Sequence, residues 1–254
     1  MVLSGQGVSL RLIGGHTVVY ELPGDGHALK GARDAIVLLH GFPADTTKNE
    51  DIAESIRAEL GADVYIPHQP GLGDCPGTFS FEGALLAMEE LLADIVTRHD
   101  YRSIVLLGHS WGGFIALHLA TKAVHPNIRL VLLSPLFVFP ASDDIRGILE
   151  DFANARGLLK NDAQYVEKLL AETERLRGVR LQPPSHLAGR IYVYHGEQDE
   201  VIPAASTRLL AAHLPPDSLV EFVNDDHWYT ETRATLRGRI VAWLQAQGVG
   251  RDTT

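Results

Sequence analysis

The feature that most restricts how this chain can fold is a repeated alternation. Residues 35–39 (Ala-Ile-Val-Leu-Leu), 103–107, 128–133 and 190–195 are short, nearly continuous apolar runs. Runs of this kind suit strands buried on both faces. Residues 63–67 and 218–223 are further short strand candidates. Between and after these runs lie segments of helical periodicity. Residues 49–60 place Ile52, Ile56 and Leu60 on one stripe, with Gly61 as a C-terminal stop, and residues 83–99 carry Leu85, Met88, Leu92 and Ile95. Residues 111–122, 203–214 (Pro203 in the first turn) and 231–247 (Leu236, Ile240 and Leu244 on one side) complete the set. Strand–helix alternation of this length predicts a mostly parallel sheet with helices on both faces. Ahead of it, residues 8–13 and 17–22 flank Gly14-Gly15 and read as a hairpin, followed by a Gly-rich polar loop over 23–33.

One stretch breaks the rhythm. Residues 135–187 carry no strand signal, only two amphipathic, charge-rich helical segments. Ser142 is positioned to cap the first, which runs to about Leu159, and Asn161 the second, which runs to about Gly178. The expected organisation is an α/β core formed by 1–135 and 188–254, with 136–187 inserted as a small helical cap.

A formal net charge of −10 argues against a nucleic-acid footprint, which needs a basic surface, and against adsorption to an anionic membrane. Cys75 is the single cysteine, so no intramolecular disulfide can form, and its Pro-Gly-flanked loop position reads as inert. The first 20 residues lack the pattern of a signal peptide, and no window approaches a membrane span. The expected location is the cytoplasm.

The chemistry concentrates at Leu106-Leu107-Gly108-His109-Ser110-Trp111-Gly112-Gly113. In a chain with 24 glycines, a G-x-S-x-G match means little alone. Here a buried strand leads in and a helix leads out. A sharp strand-to-helix turn crowds the backbone around the serine; small neighbours relieve the crowding and leave the hydroxyl exposed above the sheet edge. The helix N-terminus favours negative charge developing there.

With that turn, the chain resembles the α/β-hydrolase superfamily over nearly its whole length except the insertion. The resemblance implies a mostly parallel eight-stranded sheet and a catalytic set in the order serine, acid, histidine. Ser110 is then the nucleophile. His195-Gly196-Glu197-Gln198-Asp199-Glu200-Val201-Ile202-Pro203 is similar to the family's acid loop and nominates Asp199, with Glu197 and Glu200 as solvated competitors. His227, the one histidine after the last strand, takes the place of the base; neighbouring Asp225 and Asp226 read as loop caps. An oxyanion needs two preorganised donors about 3 Å away. The Trp111 amide can supply one, and the resemblance assigns the other to Phe42 in His40-Gly41-Phe42-Pro43, where His40 shapes the loop.

Together these residues imply a serine hydrolase that acts through an acyl-enzyme. No cofactor is expected, and no metal, since neither zinc spacing nor H-E-x-x-H occurs. The expected partner is a small-molecule ester. His-Gly-Phe, Lys48-Asn49-Glu50 and the short cap resemble small bacterial carboxylesterases, including feruloyl and cinnamoyl esterases. Phe137, Phe139, Tyr165 and Trp228 are candidate pocket walls. The same triad would serve thioester, lactone, C–C bond or aminopeptidase chemistry, and a non-catalytic receptor on this fold is the alternative from another class.

Overall fold

The protein is described by a computed structural model covering residues 8–24, 33–43, 49–122, 124–179 and 181–250. Most of the glycine-rich loop expected over 23–33, and Lys48, lie outside the described residues.

Eight strands form a single sheet: β1 (Ser9–Ile13), β2 (Thr17–Leu22), β3 (Arg33–Leu39), β4 (Asp63–Pro67), β5 (Tyr101–His109), β6 (Ile128–Leu133), β7 (Ile191–Gly196) and β8 (Leu219–Val223). Their spatial order is β1-β2-β4-β3-β5-β6-β7-β8. β1 pairs antiparallel with β2 and β2 antiparallel with β4, while every pairing from β4 through β8 is parallel. The hairpin turns through Gly14 and Gly15, both at positive φ (58° and 78°), where a side chain would be strained.

Among the described residues seven α-helices accompany the sheet: α1 (Glu50–Leu60), α2 (Phe81–Arg98), α3 (Trp111–Thr121), α4 (Ser142–Ala155), α5 (Tyr165–Arg177), α6 (Ala204–Ala211) and α7 (Arg233–Ala246). Alternate strand residues feed two cores. Ile36, Leu38, Val105 and Leu107 pack with Ile52 and Ile56 of α1 and Leu236 and Ile240 of α7. Val37, Leu39, Ile104 and Leu106 face α2 and α3, and that core continues through Leu149 and Leu169 into α4 and α5. The central strands are buried on both faces, which is why their sequences read as unbroken apolar runs.

The insertion between β6 and β7 is helical but starts differently from the sequence expectation. Ser142 does not cap α4: Ala141 holds that position without a side-chain bond, and the Ser142 hydroxyl donates instead to Glu174 (2.6 Å). The helix ends at Ala155 because the chain turns left-handed at Gly157 (φ 66°). Asn161 closes a short 3-10 turn rather than opening α5; the acceptor ahead of α5 is Asp162, which takes the Gln164 amide at 3.0 Å.

Glu172 of α5 binds this insertion to the core. Its carboxylate accepts from the Ser80 hydroxyl (2.8 Å) and the Phe81 amide (2.7 Å) at the start of α2. Anionic side chains at a helix N-terminus contribute about 0.3–1 kcal/mol, and more when partly buried. Glu172→Ala should therefore lower Tm by a few degrees, at roughly 2–4 °C per kcal/mol for a chain of this size. An unchanged thermal melt would show that the insertion is held by its apolar contacts alone.

Candidate active site

The loops that follow β3, β5, β6, β7 and β8 meet along the carboxyl edge of the sheet, where open α/β sheets form their crevices. Three close approaches shape that edge. A Cβ on Gly108 would lie 2.2 Å from the Gly112 carbonyl oxygen, one on Gly112 would lie 2.0 Å from that of Leu39, and one on Gly113 would lie 2.6 Å from Pro135. The strand–turn–helix around Ser110 thus packs directly against the end of β3. Ser110 itself sits at φ 57°, ψ −121°, a region that strongly favours glycine. As a whole residue it is 7% exposed. The β3 loop lies against it: a Cβ on Gly41 would be 3.1 Å from the Ser110 Cβ and 3.6 Å from its Oγ.

Asp199 and His227 meet from the loops after β7 and β8. His227 Nδ1 donates to Asp199 Oδ2 at 2.7 Å, and both residues are buried. The other carboxylate oxygen accepts two loop amides, Val201 (2.9 Å) and Ile202 (2.7 Å). Burial works to raise the Asp199 pKa, but the bond and charge of His227 and the Ile202 amide prevail and hold it below the ordinary carboxylate value. Gly196 allows the two loops to touch, since a Cβ there would fall 2.4 Å from the Asp225 carbonyl oxygen. Glu197 is exposed and pairs with Arg208 (3.2 Å), and Glu200 is exposed; neither approaches His227 through any hydrogen bond. Asp225 caps the loop by accepting from Thr232, and Asp226 does so by accepting from Trp228 and Thr230.

Among the described residues, Ser110 Oγ makes no hydrogen bond, and the backbone N–H groups of Phe42 and Trp111 have no acceptor. A catalytic hydroxyl–imidazole bond is often long before substrate binds. The sheet edge therefore presents an unengaged hydroxyl, two unengaged amides and an imidazole held by a carboxylate.

The four candidate wall residues are dispersed. Phe139 is buried in an aromatic cluster with Trp111 (5.5 Å), Phe114 (5.2 Å) and Phe81 (5.5 Å), behind the serine turn. Phe137 lines a cleft of about 480 Å³ with Leu181, Leu209 and His213. The Tyr165 hydroxyl donates to the Phe79 carbonyl (2.7 Å), and the residue lines a cleft of about 300 Å³ with Thr78, Phe79 and Ser80 ahead of α2. Trp228 is exposed, 4.9 Å from the His227 ring. Phe42 is better surrounded than the sequence suggested: Phe79 (4.6 Å), Phe81 (5.1 Å) and Phe152 of α4 (4.8 Å) pack around it.

Residues 36–237 match a family described as the alpha/beta hydrolase family. The chain belongs to that family. It is 32% identical to the biotin biosynthesis bifunctional protein BioHC of Cellvibrio japonicus over 114 residues, 44% of this chain and 21% of that protein. It is equally 32% identical, over 111 residues, to a Mycoplasma pneumoniae protein whose name places it among esterases and lipases; that match covers 43% of this chain and 39% of the other. The chain thus spans well under half the length of either relative. Among solved structures it is similar to the esterase of Exiguobacterium antarcticum (TM-score 0.68, 17% identity, 94% and 100% of the two chains). It is also similar to Est1E of Butyrivibrio proteoclasticus with ferulic acid bound (TM-score 0.67, 14% identity, 97% and 98%). At these identities the likeness is one of fold.

Three buried polar residues of this hydrolase fold escaped sequence reasoning. Gln69, after β4, is fully buried; its side chain donates to the His40 carbonyl (2.9 Å) and accepts from the Trp111 indole (2.8 Å), joining the two segments that carry the unengaged amides. Ser134, after β6, lies 2.9 Å from the Tyr229 hydroxyl beneath the histidine loop. His109 contacts His227. None has a local signature, because each partner comes from a distant part of the chain. Gln69→Leu would strand two buried polar groups at about 1–3 kcal/mol each. At roughly 2–4 °C per kcal/mol, a Tm fall of about 4–24 °C should follow; a change within a degree or two would show that water or a repacked loop replaces the strut.

Proposed function

We propose that this α/β hydrolase cleaves carboxylic esters of small to medium acyl groups through a Ser110–His227–Asp199 triad. The observation that carries the reading is the buried 2.7 Å bond from His227 to Asp199 on loops adjoining the Ser110 turn. In this reading His227 takes the Ser110 proton as Oγ attacks the ester carbonyl. The tetrahedral oxyanion is held by the Phe42 and Trp111 amides. His227 then protonates the departing alkoxide, and a water activated by the same imidazole releases the acid. Asp199 fixes the imidazole tautomer and stabilises its cation. Among the described residues no group of three potential metal ligands occurs, and the steps call for no metal or organic cofactor. The esterase and lipase names among the relatives support ester chemistry over amide chemistry.

The size preference is read from the rings of Phe79 and Phe152, which pack on Phe42 of the β3 loop. Hydrolysis of p-nitrophenyl acetate, butyrate and octanoate, with methyl ferulate and a matched acyl thioester, tests the proposal. Short esters should turn over fastest, with octanoate slower by about tenfold or more, within the range one or more extra methylenes cost in a closed apolar pocket. Thioester turnover with all oxygen esters inert would overturn the ester assignment. Labelling by a fluorophosphonate with no turnover of any acyl substrate would favour a ligand-binding protein instead.

A further inference from the structure

His109 fills the variable position of the strand-to-helix turn, beside Ser110, and its contacts point away from the nucleophile to the base. Its Nε2 lies 2.9 Å from the backbone carbonyl of His227, so Nε2 carries the proton and donates. The two imidazole rings lie 4.6 Å apart, tilted by 34°. Trp228 (5.3 Å) and Tyr229 (6.2 Å) flank the His109 ring, which is 2% exposed. The charged or titratable groups facing it are His227, Asp199 and Arg233. Burial first, then the neighbouring His227, lowers its pKa to about 3. It therefore stays neutral at working pH and never sets a second cation beside a protonated His227.

We infer that His109 is a positioning residue that clamps His227 to the backbone of the nucleophile turn. The Nε2–H bond anchors the His227 main chain and the ring contact fixes its imidazole plane, keeping Nδ1 on Asp199. Because His109 precedes Ser110, one rigid strand end sets both nucleophile and base. Misplacing a reacting group by about 1 Å can cost on the order of 100-fold. The inference rests on His227 being the base.

The test compares His109→Phe, which keeps a ring and loses the donor, with His109→Gln, whose amide N–H can reach the same carbonyl. Two readouts are taken: kcat and KM on the best ester, and the low-field proton NMR resonance of the His227 Nδ1–H held by Asp199. The expected result for His109→Phe is a kcat lower by about 10- to 100-fold, KM within about twofold, and a broadened or lost resonance. His109→Gln should keep the resonance and recover kcat to within a few-fold of wild type. If His109→Phe fails to fold, His109→Met makes the same comparison without a donor. Wild-type kcat and resonance in a donor-less variant would overturn the clamp, as would equal impairment of the Phe and Gln variants with the resonance intact. A wild-type protein inert on every acyl substrate would sink the base reading separately, and the resonance would still decide whether His109 holds the pair.

Discussion

Replacing Ser110 with alanine should abolish ester hydrolysis, with a loss of about 10⁴-fold or more in kcat, while the protein remains folded. The hydroxyl makes no hydrogen bond among the described residues, so its removal strands no partner. A second variant separates the chemistry from the backbone. Ser110 holds φ 57°, ψ −121°, a conformation that costs a non-glycine residue on the order of 1–3 kcal/mol. Ser110→Ala keeps that strain and should melt close to wild type. Ser110→Gly relieves it, and should melt higher than Ser110→Ala by a few degrees although both are inactive. Paired melts and burst kinetics would read both effects. Retained turnover in either variant would remove Ser110 from the mechanism, and a glycine variant that melts lower than the alanine one would show that the turn is not strained.

Much of this architecture was legible in the sequence because its determinants are local. Unbroken apolar runs identified the central strands, for their burial on both faces leaves no polar alternation. The glycines around Ser110 announced the tight turn, and each proves to face backbone or Pro135 at less than 3 Å. Asp199 and His227 were nominated by the resemblance of their loops to those of the hydrolase family, and the structure joins the two side chains by a hydrogen bond. What the sequence hid depends on residues distant along the chain. Gln69 links His40 to Trp111, Glu172 caps a helix some 90 residues earlier, and His109 reaches a carbonyl 118 residues away. The start of α5 was misread because Asn161 and Asp162 are equally good acceptors by composition, and only the turn that follows Gly157 decides between them. The aromatics were ambiguous for a related reason: an isolated Phe carries no sign of whether it lines a pocket or, like Phe139, fills the space behind a turn.

Asp199→Asn should lower kcat by about 10⁴-fold, the scale known for loss of the orienting acid in a serine triad, and the local bonds explain why an isosteric change is so costly here. Asp199 Oδ1 accepts from both the Val201 and Ile202 amides. An asparagine in this place must turn its carbonyl oxygen to those two donors, since its NH₂ group has nothing to offer them. The NH₂ is then forced toward His227 Nδ1, which must accept rather than donate. The imidazole proton moves to Nε2, and the nitrogen that should take the Ser110 proton no longer can. Asp199→Ala removes this forced tautomer and leaves His227 free to choose, so it should be less impaired than Asp199→Asn at neutral pH. The two variants also separate on stability. The folded pKa of Asp199 lies below its ordinary value, so the carboxylate stabilises the protein fully above the unfolded value near pH 4, and that stability is lost as pH falls through the folded value. The wild-type advantage in Tm over Asp199→Asn should therefore be present at pH 7 and shrink on acidification below about pH 4. Near-normal turnover in Asp199→Asn, with Glu197→Gln inactive, would move the acid to Glu197.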